Sequence, residues 1–341
     1  MTRLCRTFQT APAAVPREDT AKYLRSGLTA EGFEAPDWLV PDLEDGTAPD
    51  LKAAGLDNTV DLLAEHGAAF AGELWPRVRW SHADVERREA GRKEIRRLAA
   101  DAGDHVDGVV VPKVGRERDV RQAIEAAETA EREAGLPADS LEVAVIVETA
   151  PAVSDLREIA RLGDDDRLAA LVFGPVDYTA DLGGDPEDRP EWAGTLERIS
   201  IEASATDLLA IGGPYDDVFA EHAGVTTYDA PGYAAHARRE AELGFDGSWS
   251  LHPSQTAQGN RIHAPSAAEL ARDLDRIEEF EAAKAGGTGA VTIDGQMVDE
   301  ATYRTFLNTA RAAAVVADRR PEQAADLYSE DLLARVDEAT A

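Results

Sequence analysis

The sequence predicts an α/β protein, a (β/α)8 TIM barrel followed by a C-terminal helical lid extension. Short apolar or β-branched runs alternate with helix-like segments, which favours a parallel sheet. Eight such runs occur along the chain, and eight is the number of strands in this barrel. Polar residues follow nearly every run, as expected where strands end and the loops that carry chemistry begin. A doubly wound sheet is the alternative fold, but it does not readily explain those polar ends.

The candidate strands are nearly continuous apolar runs, which is typical of strands buried on both faces. They are LCRTF from Leu4, WLVP from Trp38, LWPRVRW from Leu74, GVVVPKV from Gly108, LEVAVIVE from Leu141, LAALVFG from Leu168, ATDLLAIGG from Ala205 and FDGSWSLHP from Phe245. Between them, apolar residues at helical spacing predict helices, including one over residues 84–102 and one over residues 116–135.

The alternation stops after about residue 254. A long acidic helix is expected over residues 266–285, followed by a short apolar stretch, GAVTIDGQMVDE, and an Ala-rich helix. From about residue 319 the composition predicts an exposed, loosely ordered helix. We therefore predict a catalytic barrel over residues 1–255 and a lid segment over residues 256–341.

Composition limits the classes of partner. The 341 residues carry a net charge of −31, from 66 acidic and 35 basic residues of which five are lysine. Such a surface repels nucleic acid and anionic membranes. Few lysines beside many carboxylates favour a salt-rich, halophilic cytoplasm, where repulsion is screened; an ordinary acidic protein is the alternative. A single cysteine, Cys5, excludes an internal disulfide. Neither a secretory signal nor a membrane span is visible, so we expect a soluble cytoplasmic protein.

Two carboxylates at adjacent strand ends suggest a metal site. Glu148 follows the buried run VAVIV, where an unpaired charge is costly. Asp177 follows the next strand, and together they could bind one hard cation such as Mg²⁺ through oxygen ligands. Glu44 and Asp45, after the second strand, could bind the waters of that ion. Alternatively, nearby arginines neutralise these acids, and the spacing by itself leaves the two possibilities open.

Several motifs together resemble the citrate lyase β-subunit-like family, within the HpcH/HpaI aldolase superfamily. They extend from about residue 38 to residue 315 and are PDLEDGTAPDLKA from Pro41, PRVRW from Pro76, VVVPKV from Val109, VIVETAPAV from Val145, LVFGPVDYTADLGG from Leu171, GSWSLHPSQ from Gly247 and VTIDGQMVDE from Val291. Because the motifs match in order and spacing, chance similarity is a poor explanation. No phosphate-binding G-x-x-x-x-G-K-[ST] or G-x-G-x-x-G run accompanies them.

The resemblance implies roles for four residues. Glu148 and Asp177 correspond to the family's Mg²⁺ ligands, with Mn²⁺ as an alternative ion. Arg77 corresponds to the arginine that contacts the reacting acid and the developing enolate. Asp299 corresponds to an acid–base aspartate that reaches the active site of an adjacent subunit, which implies that the lid packs on a neighbour. The resemblance also implies a homo-oligomer, a hexamer built as a trimer of dimers.

Other positions depart from the family pattern or have open roles. Arg79 stands where the family usually has Asn, which implies a changed polarity around Arg77. The N-terminal loop lacks the usual P-G-S, so Arg17 and Lys22 are candidates for CoA phosphate contacts or simply a solvated helix end. Lys113, at the end of the fourth strand, either hydrogen-bonds in the active site or pairs with the Glu44 and Asp45 carboxylates.

The implied activity is that of a carbon–carbon lyase with a CoA thioester substrate. It is the reversible, Mg²⁺-dependent cleavage of β-methylmalyl-CoA or (S)-malyl-CoA to glyoxylate plus propionyl-CoA or acetyl-CoA, in a haloarchaeal setting. Citramalyl-CoA lyase, citryl-CoA lyase and malate synthase are alternatives within the family. A non-catalytic CoA-binding subunit is the alternative from another class.

Overall fold

The chain divides into two units, each of which is described by itself. The larger unit is Cys5–Asn260, and the smaller one combines Met1–Leu4 with Arg261–Ala341. The structure is a computed structural model that describes residues 3–16, 19–165, 167–185, 187, 191–222, 225–287 and 289–340. The role of the C-terminal residues as a lid on a neighbouring subunit stays a prediction.

The larger unit is built around an eight-stranded parallel sheet. Its strands are β1 (Thr7–Pro12), β2 (Trp38–Asp42), β3 (Glu73–Leu74), β4 (Gly108–Val111), β5 (Glu142–Val147), β6 (Leu168–Phe173), β7 (Leu209–Pro214) and β10 (Gly247–Ser250). They lie in the order β3-β2-β1-β10-β7-β6-β5-β4. Two further strands, β8 (Phe219–His222) and β9 (Val225–Tyr228), pair as an antiparallel hairpin. Each predicted strand segment overlaps one strand of the large sheet, and the predicted fold class is confirmed.

The segment after β3 brings the two edges of the sheet together. The backbone N–H of Val78 donates to the carbonyl of Val110 on β4 at 3.1 Å, and the N–H of Val110 donates to the carbonyl of Pro76 at 3.0 Å. Arg77, between them, bridges both to Asp42 on β2 and to Val110. The predicted third strand is regular only over two residues, because Pro76 lacks an N–H and cannot continue the ladder.

Helices follow the strands along the chain. In the larger unit they are α1 (Lys22–Leu28), α2 (Lys52–His66), α3 (Val85–Ala102), α4 (Glu117–Ala134), α5 (Ala150–Ser154), α6 (Leu156–Ala160), α7 (Leu162–Asp165), α8 (Pro175–Asp181), α9 (Ala193–Ala205), α10 (Ala230–Glu242) and α11 (Pro253–Ile262), the last of which ends beyond Asn260. Asp84 caps α3 by accepting hydrogen bonds from the N–H groups of Glu86 and Arg87. Among the described residues, none of the helices has the length and apolar character that a membrane crossing needs.

Two apolar layers support the sheet of the larger unit. One cluster fills the barrel interior and includes Phe8, Trp38, Trp75 and Trp249. The rings of Trp38 and Trp75 stack with their centroids 3.9 Å apart. A second cluster lies between the outward faces of the strands and the helices. Burial on both faces explains why the strands are continuous apolar runs in the sequence.

The smaller unit is a helical assembly with one hairpin. Its helices are α12 (Ala267–Ala285), α13 (Glu300–Arg319), α14 (Pro321–Leu327) and α15 (Glu330–Thr340), and its strands are β11 (Val291–Ile293) and β12 (Gln296–Val298). The stretch after residue 319 is helical and mostly exposed, as predicted, but it is not loosely attached, because Tyr328 and Val336 are buried in this unit's core. The hydroxyl of Tyr328 also donates to the carbonyl of Pro265 at 2.8 Å.

A buried ion pair between Arg6 and Asp37 stabilises the start of the first barrel strand. The Nε and Nη2 atoms of Arg6 donate to the carboxylate of Asp37 at 2.8 and 2.9 Å. Both side chains are 1% exposed. The Nη1 atom of Arg6 donates to the carbonyl of Asn260 at 3.0 Å, which joins both ends of the larger unit.

Removing one member of this pair leaves an uncompensated buried charge. We expect Asp37→Ala to lower the free energy of unfolding by about 3–5 kcal/mol. Asp19→Ala is the matched control, because the Arg25–Asp19 pair is 45% and 54% exposed, and exposed pairs contribute below about 1 kcal/mol. Urea unfolding followed by tryptophan fluorescence compares the two variants. Equal losses in both would contradict the structural role of the buried pair.

Candidate active site

The guanidinium of Arg77 is held at the carboxyl end of the barrel by Asp42. The carboxylate of Asp42 accepts a hydrogen bond from Nε of Arg77 at 2.9 Å and another from Nη2. It also accepts the backbone N–H groups of Glu44 and Gly46, both at 2.8 Å. Burial disfavours the charge on Arg77, but Asp42 and Glu44 outweigh burial and raise the pKa of the guanidinium. The structure thus fixes Arg77 as an oriented cation.

Two further features complete the surroundings of Arg77. The centre of the Trp249 ring lies 5.5 Å from the guanidinium carbon, within the range of a cation–π contact. The Nη1 atom of Arg77 lies 3.9 Å from Oε2 of Glu44. Asp42 was not predicted as the partner of Arg77. The available signal was that both residues lie at the ends of consecutive strands, and parallel neighbours end at the same edge.

Lys113 joins the acidic loop after β2 to the first turn of α8, the helix that follows β6. Its Nζ atom lies 2.8 Å from Oε1 of Glu44, 2.5 Å from Oδ2 of Asp45 and 3.7 Å from Oδ2 of Asp177. Burial raises the pKa of Glu44. Burial also opposes the charge of Lys113, but Glu148, Glu44 and Asp45 outweigh burial and raise the pKa of the ammonium. Burial opposes the charge of Asp45 as well, but hydrogen bonds with Lys113 and Glu44 outweigh it and lower the pKa of that carboxyl. The pairing that the sequence left open is therefore present.

Glu148 is a buried carboxyl directly after β5. It is 3% exposed, and its Oε1 atom accepts the backbone N–H of Lys113 at 2.7 Å. Burial, reinforced by the neighbouring charge of Asp177, raises the pKa of Glu148 to about 8 despite Lys113 and Arg77. Gly174, before α8, gives Glu148 room, since a Cβ there would lie 2.5 Å from its Oε2 atom.

Glu148 and Asp177 have the properties that a hard divalent cation requires. Glu148 is costly to ionise without more positive charge nearby, and Asp177 interacts with it electrostatically. The side chain of Asp177 is 45% exposed, so it faces solvent where an ion can enter. The described residues contain no cluster of three or more His, Cys, Asp or Glu side chains arranged for a metal. A Mg²⁺ ion on two carboxylates fits this set, because Mg²⁺ commonly keeps waters and substrate oxygens as its other ligands.

Asp299 lies in the smaller unit, at the start of α13. Its Oδ1 atom accepts the backbone N–H groups of Ala301 and Thr302 at 3.1 and 3.0 Å and the hydroxyl of Thr302 at 3.2 Å. These hydrogen bonds lower the pKa of Asp299, so the side chain is an ionised helix cap.

The remaining candidates lie apart from these contacts. The Nε atom of Arg79 pairs at 2.5 Å with Glu94 of α3, whose carboxylate also accepts the Arg79 backbone N–H at 2.8 Å. The ammonium of Lys22 lies 4.6 Å from the centre of the Tyr23 ring. Arg17 lies outside the described residues. Arg79 therefore forms an ion pair with α3. This contact does not involve Arg77, so it does not produce the expected change of polarity around Arg77.

The fold and its polar strand ends place the chain among the (β/α)8-barrel enzymes. A match to HpcH/HpaI aldolase/citrate lyase covers residues 28–253, and the chain belongs to this family. The L-malyl-CoA/beta-methylmalyl-CoA lyase of Haloarcula marismortui is 56% identical over 337 residues, which are 98% of this chain and 97% of that protein. The predicted family and the predicted lyase class are therefore confirmed.

Two solved structures are also similar. One is the magnesium/glyoxylate complex of Haloferax volcanii malate synthase, with a TM-score of 0.70 and 30% identity, which covers 99% of this chain and 98% of that one. The other is the CitE protein of Mycobacterium tuberculosis with magnesium, acetoacetate and coenzyme A, with a TM-score of 0.65 and 25% identity, which covers 92% of this chain and 100% of that one.

Proposed function

We propose that the chain catalyses the reversible cleavage of (S)-malyl-CoA and β-methylmalyl-CoA to glyoxylate plus acetyl-CoA or propionyl-CoA. The observation that carries this proposal is the 56% identity, over 98% of the chain, to a relative named for both substrates. Beside it, the chain has a buried carboxyl with a raised pKa, an adjacent carboxylate and a fixed guanidinium at one end of the barrel.

Glu148 and Asp177 would hold Mg²⁺, with Mn²⁺ as an alternative ion. When bound, the ion supplies Lewis-acid polarisation of the oxo-acid oxygens. Asp42 keeps the guanidinium of Arg77 in one orientation. Preorganised donors of this kind stabilise an oxyanion most effectively, because they need no reorganisation during the reaction.

The chemistry moves one proton and one pair of bonding electrons. In cleavage the substrate hydroxyl loses its proton and becomes the carbonyl of glyoxylate. The carbon–carbon bond breaks, and its electrons pass to the thioester as an enolate, whose oxygen Arg77 stabilises. A proton then returns to the enolate carbon. Asp299 supplies that proton in cleavage and removes it in condensation. Its carboxylate is ionised in the contacts described above, as a base must be.

The test is product analysis with the purified full-length protein in molar KCl and Mg²⁺. We expect both thioesters to release glyoxylate, measured as its phenylhydrazone, with the acyl-CoA intact. Excess EDTA should abolish the release and added Mg²⁺ should restore it. If neither thioester yields glyoxylate although CoA thioester binds, the non-catalytic CoA-binding alternative replaces the lyase.

Malate synthase is the second candidate, because a malate synthase structure covers 99% of this chain at a TM-score of 0.70. It differs by hydrolysing the thioester, so free CoA appears when glyoxylate and acetyl-CoA are mixed. A thiol reagent detects that CoA directly. Citramalyl-CoA and citryl-CoA lyase activities would release pyruvate or oxaloacetate in place of glyoxylate, which chromatography of the products distinguishes.

Asp299→Asn should lower turnover by roughly 10²–10⁴-fold, the usual contribution of a positioned acid–base group. Mg²⁺ binding should be unchanged, because Asp299 is neither of the two proposed metal ligands. Titration calorimetry and steady-state rates measure the two effects. Unchanged turnover would remove Asp299 from the mechanism.

The same residue tests whether the site is shared between subunits. We propose a homo-oligomer, a hexamer of paired subunits, in which Asp299 serves a neighbour's barrel. Mixing Asp299→Ala with Glu148→Ala subunits should then restore partial activity through hybrid sites. No recovery, despite subunit exchange shown by mass spectrometry, would contradict sharing.

The net charge of −31 supports a halophilic cytoplasm, so these assays need high salt.

A further inference from the structure

Lys113 is held in place from two directions. Its backbone N–H donates to Oε1 of Glu148 at 2.7 Å, and its backbone adopts φ 51°, a left-handed conformation that is uncommon outside glycine. Its ammonium donates to the buried Glu44 at 2.8 Å and to Asp45 at 2.5 Å. One residue therefore carries both a neutral contact to one proposed metal ligand and a fixed positive charge beside the other.

The fixed charge lies where a second cation has to bind. The Nζ atom of Lys113 is 3.7 Å from Oδ2 of Asp177. Lys113 is 17% exposed, and like charges a few ångströms apart repel one another even where water partly screens them. Glu44, which is 2% exposed, accepts a hydrogen bond from this ammonium and holds it beside Asp177.

We propose that Lys113 makes Mg²⁺ binding depend on the oxo acid. Its ammonium neutralises the carboxylates of the metal-free protein and opposes a bare divalent ion. An oxo acid that binds with the ion brings a carboxylate, and this negative charge offsets the repulsion. Mg²⁺ and glyoxylate therefore bind with positive coupling, and each increases the affinity for the other by the same factor. This inference rests on the proposed function and makes Lys113 a positioning residue.

The test measures Mg²⁺ binding by titration calorimetry, with and without glyoxylate, at the lowest KCl concentration that keeps the protein folded. In the wild-type chain, glyoxylate should tighten Mg²⁺ binding by at least about fivefold, the lower end of typical coupling. Lys113→Met keeps an unbranched side chain of similar length and removes the charge. We expect it to bind Mg²⁺ alone about tenfold more tightly and to lose most of the tightening by glyoxylate. Lys113→Arg keeps the charge and should retain the coupling.

A second variant keeps the test independent of how well the Lys113 variants fold. Asp45 has a side chain that is 56% exposed, so Asp45→Asn is expected to leave folding intact. The substitution removes a carboxylate that draws the ammonium away from Asp177. Mg²⁺ alone should then bind more weakly, and glyoxylate should increase the affinity for Mg²⁺ by a larger factor than in the wild-type chain. Tighter Mg²⁺ binding in Asp45→Asn, or equal affinity and coupling in wild type and Lys113→Met, overturns the inference alone. No Mg²⁺ binding by wild type, even with glyoxylate, overturns the proposed function as well.

Discussion

Glu148→Gln is expected to lower the rate of thioester cleavage by about 10³-fold at a Mg²⁺ concentration that saturates the wild-type protein. A Lewis-acid ion contributes several kcal/mol to stabilising developing charge, and each 1.36 kcal/mol is about a tenfold change in rate. Gln keeps the size of the side chain and the acceptor for the Lys113 N–H, but it lacks the charge that holds a cation. Steady-state rates and Mg²⁺ titration together measure the effect.

The same substitution should not destabilise the metal-free protein. The pKa of Glu148 is raised from 4.5 to about 8 by burial, so the folded state binds a proton that the unfolded state releases over that interval. Stability from this group is therefore present below pH 4.5 and lost as pH rises toward 8. With EDTA at pH 8, Glu148→Gln should unfold at the same or a higher temperature than wild type.

An exposed glutamate provides the matched control for Glu148. Glu65 on α2 has a side chain that is 67% exposed, and Glu65→Gln should change neither rate nor unfolding temperature. A Glu148→Gln protein that retains full activity would contradict the assignment. A marked fall in its metal-free unfolding temperature at pH 8 would contradict the pKa argument.

Arg77→Lys should reduce kcat/KM by roughly 10²–10³-fold, the cost of losing a preorganised oxyanion donor. Lysine keeps a positive charge but cannot reproduce the paired hydrogen bonds from Nε and Nη2 to Asp42. Asp42 is 2% exposed, and without the guanidinium only the N–H groups of Glu44 and Gly46 would still donate to its carboxylate. Because this buried charge is then less well compensated, we expect a lower unfolding temperature together with the loss of rate. The affinity for Mg²⁺ should change little.

Arg79→Lys is the matched control two residues along the same segment. Arg79 pairs with Glu94 on α3, and lysine preserves that charge pairing, so we expect at most a few-fold change in kcat/KM. Measuring kcat/KM of both variants under the same conditions shows whether the loss of rate is specific to Arg77. If Arg79→Lys costs as much rate as Arg77→Lys, the segment acts through its general structure and the guanidinium of Arg77 has no special role.

Much of the barrel could be predicted from the sequence, because its strands are buried on both faces and stand out as apolar runs. The β8–β9 hairpin was missed, since its strands include polar residues such as Glu221 and Thr226. The β11–β12 hairpin was missed as well, although Asp294 and Gly295 form a two-residue turn with φ 49° and 79°. Asp-Gly is a strong signal for such a turn. The burial of Tyr328 and Val336 depends on packing between helices distant in sequence, which local composition does not encode.

The candidate site was predicted in outline. Strand ends and the family resemblance both led to Glu148, Asp177 and Arg77, and the fold brings these positions to one edge of the barrel. The partner of each charge was harder to predict. Asp42 was overlooked beside the more conspicuous Glu44 and Asp45, and Arg79 was expected to alter a pocket but contacts Glu94. Partner choice depends on side-chain direction at the sheet edge, which sequence spacing does not determine.

The most direct test of the central claim, a divalent ion held by Glu148 and Asp177, is Mg²⁺ titration calorimetry at pH 7 in buffers of different ionisation enthalpy, with glyoxylate present. Because the pKa of Glu148 is about 8 without metal, and ligands deprotonate on binding, we predict release of about one proton per Mg²⁺. Glu148→Gln should abolish both the binding and the release. Tight Mg²⁺ binding with no proton release, or binding that survives in Glu148→Gln, would contradict the account.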